Sequence, residues 1–156
     1  MFNTLYFGIN HEGNGGWTSK QILNNIPNWP AETGPPDIVR FSVSGENDAL
    51  QNLPYEQTIS IIYDIVIALQ DANPEVTILI VQLTPARSDA MNTELSNYFN
   101  QLTEDVLTIA SESTAIAPKV IAIAVFKDFE DRLQADDVHY NEMGVDFIAS
   151  SYYAIL

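Results

Sequence analysis

Asp136 and His139 stand three positions apart near the end of the chain. A turn of that span can return a carboxylate to one imidazole nitrogen, fix the tautomer and leave the other nitrogen facing a hydroxyl, which is the arrangement of a general base. A second polar segment, Gly45-Glu46-Asn47-Asp48, follows the apolar run of residues 37–43. The Asn47 amide can donate to an oxygen on which negative charge develops, while Gly45 and Asp48 read as the structural part of the turn, with Asp48 held in local hydrogen bonding. A third segment, His11-Glu12-Gly13-Asn14-Gly15-Gly16-Trp17, has the glycines that let backbone N–H groups turn toward a ligand. Together these are the polar half of an acyl-transfer site. Each also has a plainer reading: a helix-entry residue for His139, an Asx turn for Asn47-Asp48, and a tight strand-to-helix connection for the glycines.

Such groups need a frame that brings distant segments to one edge. Residues 37–43, 76–83 and 119–126 are short β-branched runs bounded by Pro, Gly or Asn, and their near-continuous apolarity predicts central parallel strands covered on both faces. Residues 4–9 read as an opening strand. Between the runs, residues 55–72 place Ile59, Ile62, Tyr63, Val66 and Leu69 at helical spacing and stop at Asn73-Pro74. Residues 91–111 repeat the pattern through Leu95, Tyr98, Leu102, Val106 and Ile109. A further helix is expected over 18–28, N-capped by Thr18 and ended by Pro27 and Pro30. The last helix, from 141 or 142 to 155, offers Met143, Phe147, Ile148, Tyr152 and Ile155 to the sheet. Strand, helix, strand, helix, strand is an α/β layer sandwich with right-handed crossovers, and its ligand crevice lies beyond the C-terminal ends of the strands, where the polar segments fall.

Composition narrows the partners. The 156 residues fit one domain, and 46% apolar content is enough for an ordinary core. Six Lys plus Arg against 21 Asp plus Glu give a formal charge of −15, which repels phosphate backbones and makes nucleic acid a poor partner. With no cysteine there is neither a disulfide nor a thiolate nucleophile or metal ligand. No apolar run is long enough for a membrane helix. The N-terminus lacks the basic and apolar regions of a signal peptide, although processing upstream leaves export open. His11-Glu12 has no second histidine four residues on, and Asp128, Glu130 and Asp131 offer oxygens to a divalent cation but read first as a solvated loop. Neither nucleotide-binding glycine spacing is present, so no cofactor or metal is expected.

The order of a glycine turn ending Gly-Gly-Trp-Thr, then Gly-x-Asn-Asp, then Asp-x-x-His before an amphipathic final helix resembles the SGNH hydrolases, also called the GDSL esterases and lipases. The likeness covers nearly the whole chain. It implies a three-layer sandwich of flavodoxin-like strand order 2-1-3-4-5, with Gly16 N–H and the Asn47 side chain as oxyanion donors, His139 as base and Asp136 as the orienting acid. The style of the glycine turn and the compact length are similar to the branch that deacetylates carbohydrates, so the implied substrate is a small acyl ester or an acetylated carbohydrate. Asp137 and Tyr140 stand where the family often has Gly and Pro.

The family's first block, Gly-Asp-Ser followed by a helix, has no counterpart in these 156 residues. By the resemblance the domain is therefore N-terminally truncated, its first and central strand missing or replaced, and the nucleophile absent. Ser19, Ser42, Ser44 and Ser88 are poor substitutes by position. Either the strands at 4–9 and 37–43 close up and pair, or another chain fills the slot and makes a homodimer through the incomplete sheet; Phe2, Tyr6 and Phe7 read first as helix-facing core residues and second as part of that interface. The rival reading is a non-catalytic carbohydrate or small-ligand binder, in which Trp17, Trp29 and Tyr140 stack on sugar faces while Asn10, Asn14 and Asn47 bond hydroxyls; Asn14, Trp17 and Tyr140 are the ligand-binding residues expected on either reading. An assembly fragment derived from the fold is the third.

Overall fold

The computed structural model describes residues 13–42, 45–87, 93–116 and 119–155. The strand expected at 4–9, with Asn10, His11, Glu12, Ser44 and Ser88, lies outside the described residues. The three β-branched runs form a parallel sheet in the order β1 (Ile38–Ser42), β2 (Thr77–Val81), β3 (Val120–Ile123). Ile38 stands beside Thr77, and Ile78 beside Val120. The α/β class and parallel pairing read from the sequence are those observed, and the three strands follow one another as the last three of the expected order do.

β2 is central because four of its five residues, Ile78 to Val81, are buried, with side chains sent alternately to two cores. Ile78 and Ile80 face one core, built with Phe41, Ile62, Val66, Leu102 and Val106; Leu79 and Val81 face the other, built with Ile123, Val125 and Tyr152. Each fully buried aliphatic side chain contributes about 1.5–3 kcal/mol over its exposed state. β1 corrects the expectation of strands covered on both faces. Val39 and Phe41 pack into the first core, whereas Ile38 is 56% exposed and Arg40 and Ser42 are exposed too.

Helix α1 (Ser19–Asn25) is opened by Thr18, whose N–H donates to the Gln21 side chain at 2.9 Å. It ends before Pro27, and Pro30, expected to stop it, instead occupies the first turn of α2 (Trp29–Thr33), where a missing N–H costs nothing. Helix α3 (Gly45–Leu50) follows β1, so Gly45 and Asp48 belong to a helix rather than to a turn. Helix α4 (Tyr55–Ala72) has the predicted bounds and buries Ile61, Ile62, Ile65, Val66 and Leu69. Helix α5 (Thr93–Ile116) runs past residue 111 because nothing before Pro118 interrupts it. These pack on one face of the sheet.

The other face is covered by α6 (Glu142–Tyr153), N-capped by Asn141, whose side chain accepts the Gly144 N–H at 3.0 Å. Phe147, Ile148 and Tyr152 reach the second core. Met143 (52% exposed) and Ile155 (41%) do not. The first turn of α6 rests on residues 133–140 rather than on the sheet, since Gly144 abuts the Leu133 carbonyl and the Tyr140 Cβ, and Ile155 lies beyond the last turn.

Candidate active site

The acid and base come from one turn. Asp136 Oδ1 accepts the N–H groups of Val138 at 3.0 Å and His139 at 2.8 Å, which closes the segment so that the carboxylate meets His139 Nδ1 at 2.9 Å through Oδ2. Those two backbone donors, followed by the imidazole, hold the Asp136 carboxyl down at about 2, so it stays ionised beside the ring at any ordinary pH. The His139 side chain is 78% exposed. With Nδ1 given to Asp136, Nε2 is the nitrogen left to take a proton.

Several bonds fix this turn on the frame. Ala135 N–H donates to His139 O at 2.7 Å, and Gln134 and Tyr140 form an antiparallel bridge. The stretch after β2 grips it from below: Arg87 N–H donates to Asp137 O at 2.8 Å, the Gln134 side chain to Pro85 O at 2.7 Å, and Thr84 Oγ1 to the Tyr140 hydroxyl at 3.1 Å. Tyr140 also packs edge-on against Phe129, with ring centroids 5.5 Å apart. It is half-buried and held by both contacts.

The glycine turn is a tight one. Trp17 N–H donates to Asn14 O at 3.3 Å, with Gly15 and Gly16 between them, and Gly16 has φ +78°, as a turn needing a positive φ at its third position demands. The space around Gly16 is open, so its conformation and not its size requires glycine. The turn's own bond uses Trp17 N–H and leaves Gly16 N–H outside it. Asn14 is exposed and Trp17 half-buried.

Helix α3 ties this turn to the sheet. Asn47 Nδ2 donates to Trp17 O at 2.9 Å, so one amide N–H is structural and the second remains for a ligand. Asp48, expected in local hydrogen bonds, instead reaches 29 residues back: its carboxylate accepts from Ser19 N–H at 2.8 Å and Ser19 Oγ at 2.6 Å, and from Thr58 Oγ1 at 3.1 Å. Asp48, Ser19 and Thr58 are all fully buried. Ser19 is thereby a strut between α1 and α3, and Ser42, exposed on β1, belongs to neither polar turn.

Glu46 was not singled out by its sequence neighbours. Its half-buried carboxyl is raised from the usual carboxylate value by desolvation, opposed by attraction to His139 and reinforced by repulsion from Asp136. Glu46, in the first turn of α3, therefore lies within charge range of the Asp136–His139 pair. Lacking a motif, only this spatial result reveals Glu46. Elsewhere, Glu130 pairs with Arg132 at 2.5 Å, and no group of three or more His, Asp or Glu side chains suited to a metal ion occurs among the described residues.

A parallel sheet with helices on both faces, a strand-end helix carrying Asn47 and a C-terminal Asp-x-x-His turn define an α/β protein of the SGNH (GDSL) hydrolase fold. The solved structures it resembles include carbohydrate esterases, an acetyl esterase and a GDSL-like lipase, and the likeness supports an esterase-type scaffold. A carbohydrate esterase family 3 protein from Talaromyces cellulolyticus superposes with a TM-score of 0.82 at 25% identity, over 96% of this chain and 70% of its own. A family 3 carbohydrate esterase from Clostridium thermocellum gives 0.74 at 26% identity, over 93% and 67%. An acetyl esterase mutant with acetate ion gives 0.78 at 26% identity, over 94% and 70%. No protein-family model matches the chain, and no curated protein matches it by sequence.

Proposed function

We propose that this chain carries the base and the oxyanion donors of a carboxylic ester hydrolase that acts on small acyl esters, acetylated carbohydrates in particular, once a serine nucleophile is supplied. The observation that carries the reading is the Asp136–His139 pair, with Nδ1 engaged and the ring open to solvent. His139 Nε2 takes the proton of the serine hydroxyl as that oxygen attacks the ester carbonyl. Gly16 N–H and the second N–H of Asn47 meet the oxyanion, and His139 passes its proton to the leaving alcohol. Water deprotonated by His139 then attacks the acyl-serine and releases the carboxylic acid, restoring the serine. The likeness to carbohydrate and acetyl esterases supports the acetyl preference.

The test uses protein isolated from its native source, labelled with a fluorophosphonate and assayed on an acetyl ester and on acetylated xylan. A labelled serine and acetate release are expected. His139→Ala in the same protein should lower kcat by about 10²–10⁴-fold, the range of a lost general base. Absence of label together with turnover that His139→Ala leaves unchanged would overturn the reading.

A further inference from the structure

Helix α3 has a core side and a site side. Gly45 is pressed on α5 so closely that a Cβ there would stand 2.2 Å from Leu102 Cδ2, and Asp48 is buried in its bonds to Ser19 and Thr58. Residues three apart share a helix face, so Gly45 and Asp48 take the core side and leave Glu46 and Asn47, both half-buried, on the other. Asn47 is tied to the glycine turn through Trp17 O. Glu46 belongs to the opposite polar turn, because its carboxyl lies within charge range of His139 and Asp136. Tyr140 reports the same contact: burial raises its hydroxyl first, the bond to Thr84 opposes, and the charge of Glu46 adds to the rise. Three groups on one hydrogen-bonded turn thus place the Glu46 carboxyl beside the imidazole. No Lys or Arg among the described residues offsets it there.

We infer that Glu46 is a specificity-determining residue that selects by charge what reaches His139, passing neutral reactants and turning away anionic ones. Asp136 cannot do this as well, since its charge is already met by the N–H groups of Val138 and His139 and by the imidazole. The Glu46 carboxyl is instead partly desolvated and its field is less screened than that of a surface group. A reactant that carries its own carboxylate brings a further negative charge to this spot and is repelled. On the esterase reading, which this clause alone requires, the substrates are esters whose acyl and alcohol parts are neutral next to the carbonyl, so an acetyl group is accepted and a succinyl group is refused.

The first test does not need that reading. His139 of the 156-residue chain is alkylated with neutral bromoacetamide and with anionic bromoacetate. In both reactions Nε2 displaces bromide from the CH2 carbon, and the product is read as the mass of the His139 peptide, with no cysteine in the chain to compete. The measured quantity is the rate with bromoacetate divided by the rate with bromoacetamide, in mildly alkaline buffer of low salt. Glu46→Gln should raise this ratio about threefold or more, the scale of one charge at short range near a protein surface, and Glu46→Lys should raise it further. Glu46→Asp keeps the charge and should stay close to the parent, as should Glu56→Gln on the exposed first turn of α4. Added sodium chloride should shrink the Glu46→Gln effect. A ratio that Glu46→Gln and Glu46→Lys leave alone would overturn the inference, and so would one that Glu46→Asp moves as far as Glu46→Gln does, which would mark lost packing rather than lost charge. In the native-source protein, Glu46→Gln should narrow the preference in kcat/KM for 4-nitrophenyl acetate over 4-nitrophenyl hemisuccinate by the same factor. Alkylation that responds to Glu46 without any ester turnover would leave the charge selection standing and sink the hydrolase reading instead.

Discussion

Asp48 shows how a residue's role can be set far from its sequence neighbourhood. Its carboxylate is fully buried and takes donors from Ser19 and Thr58, which joins α1, α3 and α4 at one point under the candidate site. Asp48→Ala strips three donors of their acceptor in a dry environment, a loss of about 3 kcal/mol or more, since bonds to charged groups are worth about 1.5–3 kcal/mol each and are not additive. Urea unfolding should show that loss in the midpoint, while Glu56→Ala on the exposed first turn of α4 should stay within about 0.5 kcal/mol. The Asp136–His139 pair was legible because its geometry is local: three residues and one turn decide it. Asp48 and Glu46 were not, because partners on other elements assign them, and neither Ser19 nor Thr58 has a spacing that announces the contact.

At the level of elements, periodicity over long segments carried the reading. Helix α4 keeps its apolar stripe for five turns and stops at Asn73, whose side chain donates to Pro36 O at 2.9 Å and accepts Glu75 N–H at 2.9 Å. Short segments failed, as α2 did, because one proline serves equally as a stop and as a first-turn residue. The seat of α6 is sensitive to a single methyl. A Cβ at Gly144 would stand 2.2 Å from the Leu133 carbonyl oxygen, a backbone atom that cannot swing aside. Gly144→Ala should therefore cost about 1–3 kcal/mol of overpacking and push α6 off residues 133–141, loosening the turn that holds Asp136 to His139. Calorimetry should record a fall in Tm. Gly15→Ala, with open space and no positive φ, should leave it nearly unchanged.

The whole molecule carries a charge imbalance that its contacts do little to relieve. Against 21 carboxylate side chains there are six Lys plus Arg. Ion pairs among the described residues include Lys119 with Glu75 and Arg132 with Glu130, joined by His139 with Asp136 when the imidazole is protonated, all between partly or fully exposed groups. Exposed pairs of this kind contribute about 0–1 kcal/mol each. Arg40, which faces the Tyr152 ring, adds an aromatic contact to the sum. Repulsion among unpaired carboxylates is therefore the larger long-range effect, and it opposes the compact state more than the expanded one. Screening should relieve it, because the Debye length shrinks from about 10 Å at 0.1 M salt to about 3 Å at 1 M. Tm at neutral pH should thus rise by a few degrees, on the order of ~1 kcal/mol for a chain of this size, as sodium chloride is raised across that range. A Tm that falls instead would mean that attractive pairs outweigh the repulsion.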